Sequence, residues 1–228
     1  MSYDPRTIAF LAELLYPPLQ LRSDTAQALH NALYKRNETR YLNFQIAQDG
    51  IHMLNVPESP GSVSQLTLLP DRLVMREELR GITHEDFAQR LVQVAGIVLP
   101  HLGVAQSLAQ QFIVRSLINP RHSQDSREFL AHRLIGADDP AWARFGRPIA
   151  SLGLRLTFPQ TDKHRDMYHL RVETWTQDPR SLWVELAGSF TNPVSTENLP
   201  EIGSYVHATY RFLCGPAFEF LAGFDQPK

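Results

Sequence analysis

The residues best suited to chemistry gather in three neighbouring segments of the chain's second half. Arg155 stands in the first, His169, Arg171, Glu173 and Trp175 follow at two-residue spacing in the next, and Trp183 and Glu185 repeat that spacing in the third. Side chains two apart on a strand point the same way, so antiparallel pairing of these segments would gather all seven groups on one sheet face. Arginine offers bidentate pairing, histidine proton exchange near neutral pH, and tryptophan a flat stacking surface. Such a face suits a small anionic or planar ligand or a protein partner. A solvated face laced with cross-strand ion pairs would carry the same pattern. The opposite face would hold Leu154, Leu156, Leu170, Val172, Val184 and Leu186, and a slip of one residue would bury the charges.

Other chemistries find little support. The glycines are scattered, with no phosphate-binding loop and no nucleophile elbow. No two of the nine histidines have the spacing of a metal pair on a helix or strand, and Cys214 is the only cysteine. Glu173 and Glu185 form the one carboxylate pair suited to acid–base work, yet arginines adjoin both. No catalytic residue, metal ligand or cofactor is assigned.

These groups need a scaffold, and 228 residues, 43% hydrophobic and 20% charged, suit a globular unit with a sizeable core. The formal net charge of −2 supplies no bulk attraction for nucleic acid. With no apolar run of membrane-spanning length and no signal-like amino terminus, a cytoplasmic location without membrane contact is expected.

A pattern occurs twice: Asp24-Thr25-Ala26-Gln27 with Leu29 and Leu33, then Asp125-Ser126-Arg127-Glu128 with Leu130 and Leu134. Both have capping-box spacing and predict helix starts. Asp4-Pro5, with Ile8, Leu11, Leu14 and Leu15 as an apolar stripe, predicts an opening helix that Pro17-Pro18 ends. Alternation and turn residues then predict strands near 41–46, 51–56, 63–69 and 72–77, and a helix capped by Thr83. The second part repeats the order: a strand over 112–118, a capped helix, an irregular insertion, three long strands and a final helix.

The segments Gly81–Leu91 and Phe112–Asn119, with the helix around Tyr205-Val206-His207, resemble a sporadically distributed family of prokaryotic proteins of similar length. In that family a strand bearing arginine, an aromatic and asparagine precedes a capped helix; here Ser116 takes the aromatic place and Arg115 lies one residue further from Asn119. The resemblance brings no activity with it. It adds Arg115 and Asn119 to the candidate binding residues.

The expected fold is α+β: two pseudo-repeats of strand, helix, three to four antiparallel strands and helix, with the helices on one sheet face. The nearest analogies are the saddle of the TATA-binding protein and helix-grip sheets. The expected division is an N-terminal helix over 1–18, a first half over 19–104 and a second over 105–228, packed as one unit. The expected function is non-enzymatic binding through the polar sheet face. The alternatives are a helix-grip enzyme acting on a small ligand, a saddle-type nucleic-acid binder, and a subunit of a larger assembly using an apolar patch near 218–224. Nucleic acid is not the expected partner, and homo-oligomerisation stays open.

Overall fold

The structure, a computed structural model, describes residues 3–227. Nine strands form one sheet: β1 (Arg6–Leu15), β2 (Asn43–Ile46), β3 (Ile51–Leu54), β4 (Val63–Leu69), β5 (Arg72–Glu78), β7 (Ala109–Ile118), β8 (Gly153–Phe158), β9 (Asp166–Thr174) and β10 (Leu182–Phe190). Two short strands, β6 (Gln106–Ser107) and β11 (Val194–Ser195), pair separately. The spatial order is β2-β3-β4-β5-β1-β7-β10-β9-β8, antiparallel at every pairing. β1 and β7 are therefore the two central strands. From each of them the chain jumps to an outer edge and returns inward strand by strand, through four strands on one side and three on the other.

The opening segment is this central strand, not the expected helix. Its residues suit either period: Ile8, Leu11, Leu14 and Leu15 make a helical stripe, whereas Phe10, Ala12 and Leu14 alternate. The alternation prevails because β5 and β7 flank the segment on both sides, and all three alternating side chains lie buried beneath the helices. A register shift between Thr7 and Ala9 interrupts the pairing with β7.

The helices are α1 (Ser23–Tyr34), α2 (His84–His101), α3 (Ser126–Glu128), α4 (Asp139–Ala143), α5 (Pro200–Phe212) and α6 (Phe218–Phe224). Thr83 and Asp86 close a reciprocal capping box on α2. The other caps depart from expectation. Asp24 lies inside the first turn of α1, where its carboxylate meets Arg22 and the Thr25 amide, and Arg22 caps without its side chain. Asp125 does cap α3 through the Arg127 amide, but α3 widens after three residues into a π-helical turn, Phe129–Leu134. Gly215 and Pro216 do not break the last helix; a π-helical stretch, Leu213–Ala217, carries it into α6.

The core lies between the sheet and the layer led by α2 and α5. Phe10 stacks on Phe87 at 5.3 Å, Phe190 on Tyr205 at 4.2 Å and Tyr168 on Phe212 at 4.2 Å. Each fully buried side chain of this kind contributes roughly 1.5–3 kcal/mol. Gly188 lets α5 approach the sheet closely, since a Cβ there would lie 2.5 Å from Thr209 Oγ1. Beyond α6, the buried Asp225 accepts the Tyr3 hydroxyl and the amides of Arg121 and His122, fastening the chain's two ends to the turn after β7. Among the described residues no helix is long and apolar enough to cross a membrane.

Candidate functional site

The alternation of β7, β9 and β10 places their apolar residues under the helices and the polar set on the uncovered face. Register then brings the charges together. Glu185 on β10 lies opposite Arg115 on β7 and Arg171 on β9. Its carboxylate accepts Arg115 Nε at 2.7 Å and Arg171 at 3.3 Å, while Arg171 also donates to Glu173 at 2.8 Å. The Trp183 ring lies beside both cations, its centroid 5.0 Å from the Arg171 guanidinium carbon and 6.0 Å from that of Arg115. Glu173 above all, with Glu185 adding to it, holds the Arg171 guanidinium above its ordinary proton affinity, against the opposing effect of burial.

The row continues into the first half of the chain. Ala9 on β1 sits between Glu78 on β5 and Arg115. Its methyl group leaves Arg115 room to reach over β1, and the two side chains meet at 3.2 Å. Arg76 closes the far end on Glu78 at 2.7 Å. The result is an alternating ladder across five strands: Arg76, Glu78, Arg115, Glu185, Arg171, Glu173.

A groove of about 990 Å³ runs over this ladder. Trp175, just beyond the end of β9, and Trp183 both line it, together with Arg6, Thr7 and Ile8. Its charged lining is balanced, with Arg6, Arg115 and Arg171 against Glu78, Glu173 and Glu185. Among the described residues no group of three or more His, Cys, Asp or Glu is placed to hold a metal ion.

Three expected site residues stand apart from the groove. Arg155 shares its face, directly opposite Arg171, but lies exposed on the outermost strand, and no carboxylate pairs with it among the described residues. His169 shares a hydrogen bond with Thr157 at 3.0 Å, two pairs further along the same strands. Asn119 follows β7, accepts the Ser181 hydroxyl at 2.9 Å and lines a second pocket of about 390 Å³ with Tyr3, Asp4 and Asp178.

Glu78, Ala9 and Arg6 are among the lining residues that sequence reasoning missed. Glu78 shares the outward parity of Arg72, Val74 and Arg76 on β5, which was a usable signal. Ala9 and Arg6 carried none while their segment read as a helix. Against protein-family models and curated proteins the sequence finds no match. The roles of these side chains therefore rest on geometry.

Proposed function

We propose that this chain is a non-enzymatic binding protein whose ligand lies in the groove on the uncovered sheet face, stacked against Trp183. The observation that carries the proposal is Glu185, which tethers Arg115 and Arg171 and so fixes two guanidinium planes beside one indole. Arginine and tryptophan are the residue types in which binding energy concentrates, and side chains already held in place lose little freedom when a partner arrives. The balanced lining also selects among ligands. The arginines already donate to carboxylates, so an anion must displace an ion pair, whereas a neutral or zwitterionic planar group meets donors, acceptors and a stacking face together. We therefore favour the planar member of the expected ligand classes over the anionic one. Nucleic acid fits less well: Arg115, Arg155 and Arg171 share the open face, but Arg127 is held by Asp125 in the helix layer and Arg121 sits over the Tyr3 ring.

Ligand-observed NMR with a mixture of planar neutral, zwitterionic and anionic fragments tests this reading. Neutral or zwitterionic aromatics should bind the wild type, and Trp183→Ala and Arg171→Ala should each weaken them at least about tenfold, or ~1.4 kcal/mol. Each variant should keep its melting temperature within the shift of a surface change. Fragments that bind all three proteins equally, or a preference for inorganic phosphate and nucleotides, would refute it.

A further inference from the structure

The two edges of the sheet differ. β2 has only four residues, a length at which an exposed edge offers little to a pairing strand. β8 has six, with no proline, no lysine and no register shift. Just before it, the Thr174 amide donates to the Leu152 carbonyl at 3.0 Å. By antiparallel alternation, residues 154, 156 and 158 turn their backbone groups toward β9, and residues 153, 155 and 157 turn theirs outward. The helix layer covers this edge only in part: Phe212 of α5 meets the Phe158 ring edge-on at 5.2 Å. Leu154 and Leu156 are only half-buried and Phe158 is 38% exposed, although their partners on β9, Val172, Leu170 and Tyr168, are buried.

We propose that β8 pairs antiparallel with β8 of a second copy, about a two-fold axis through Leu156, joining two sheets into one. Two registers near the strand centre match outward-facing backbone to outward-facing backbone. The first sets Arg155 against the partner's Arg155. Since Arg155 already faces Arg171, that register would align four arginines across the joint, and like charges directly opposite are destabilising. The second sets Arg155 against the partner's Thr157, Leu156 against the partner's Leu156 and Leu154 against the partner's Phe158. It breaks the arginine row and covers the apolar side chains that the helices leave open. Relief of the arginine clash together with matched apolar surface in this one register is the argument for a second copy over a foreign strand. The inference is independent of the groove's ligand.

Light scattering coupled to size exclusion, with cysteine cross-linking, tests it on the full chain. The wild type should run at twice the 26.0 kDa chain mass. Thr157→Pro removes an outward N–H at a position where an edge strand tolerates proline, and should run as a monomer with a native circular dichroism spectrum. In a Cys214→Ser background, Leu156→Cys should cross-link to dimer on treatment with diamide, and Arg155→Cys should not, because the register separates the two copies of position 155. Should Thr157→Pro fail to fold, the cysteine pair decides alone. A wild type that stays monomeric to about 100 µM, a dimer that survives Thr157→Pro, or a dimer in which Leu156→Cys fails to cross-link would overturn the proposal.

Discussion

In both halves of the sheet, the strand beside the central one carries a glutamate held by two arginines, but the two glutamates point opposite ways. Glu185 on β10 lies on the uncovered face with its side chain 11% exposed, bound to Arg115 and Arg171. Glu77 on β5 lies under the helices with its side chain fully buried. It receives Arg90 from α2 at 3.2 Å, Arg80 at 3.2 Å and the Ser64 hydroxyl at 3.0 Å. Arg90 also lies over the buried Tyr41 ring at 4.9 Å, and Arg80 reaches out to Glu58. Burial pushes the Glu77 carboxyl above its ordinary range, against the pull of Arg90 and Arg80. The same three-charge arrangement thus pins a strand to a helix and a loop in one half and stays within reach of solvent in the other. What separates the buried cluster from the proposed site is the face of the sheet, not the residue types.

The sharpest way to break the comparison is to remove each glutamate. Glu77→Ala takes the buried carboxylate from Arg90 and Arg80, and the loss of one member of a buried ion pair costs about 3–5 kcal/mol. Urea unfolding should show the midpoint falling accordingly, with Glu77→Gln less damaging because it keeps an acceptor for Ser64. Glu185→Ala should cost about 2 kcal/mol, between buried and surface values, since Arg115 and Arg171 can turn toward Glu78, Glu173 and water. Equal losses in the two variants would mean that the open-face ladder is as structural as the buried cluster, which would undercut its reading as a site.

This contrast also marks how far the sequence could be read. The alternation of β9 and β10 has one acceptable register with a buried face, so Arg171, Glu173, Trp183 and Glu185 were legible together on one side. The long α2 announced itself by its capping box. β1 did not, because ten residues with apolar positions at both periods take their form from neighbours far away in sequence, and no local pattern identifies β5 and β7 as those neighbours. The groove's other wall, Glu78 and Ala9, was lost with it. Glu77 and Glu78 look alike as adjacent charges, and only strand parity together with Arg90 on α2 reveals that one is buried under the helices and the other half-buried on the open face. The three-residue α3 was overestimated for a related reason: a capping signal fixes where a helix starts and says nothing of how it continues.

The smallest expected effect lies where the two halves meet. His84 opens α2, with its ring stacked on Tyr210 of α5 at 4.0 Å and edge-on to His207 of α5 at 5.2 Å. Burial holds the His84 imidazole below its ordinary value of 6.5, Glu85 at 2.9 Å opposes that shift, and His207 adds to it. With Cys214, the thiol that meets the Tyr210 hydroxyl, these are the titratable groups around the ring. A histidine whose folded-state proton affinity is depressed binds fewer protons folded than unfolded, so stability must rise with pH through this window. It is complete above about pH 6.5 and declines as the pH falls below the unfolded value toward the folded one. The wild type should therefore lose melting temperature between pH 7.5 and 5.5 more steeply than His84→Gln, which cannot take up the proton. His207→Gln should flatten the slope less, because it removes only the smaller of the two causes that lower the His84 value. Parallel curves for wild type and His84→Gln would show that the ring gains its proton freely in the folded state, and that the α2–α5 contact joins the halves by packing alone.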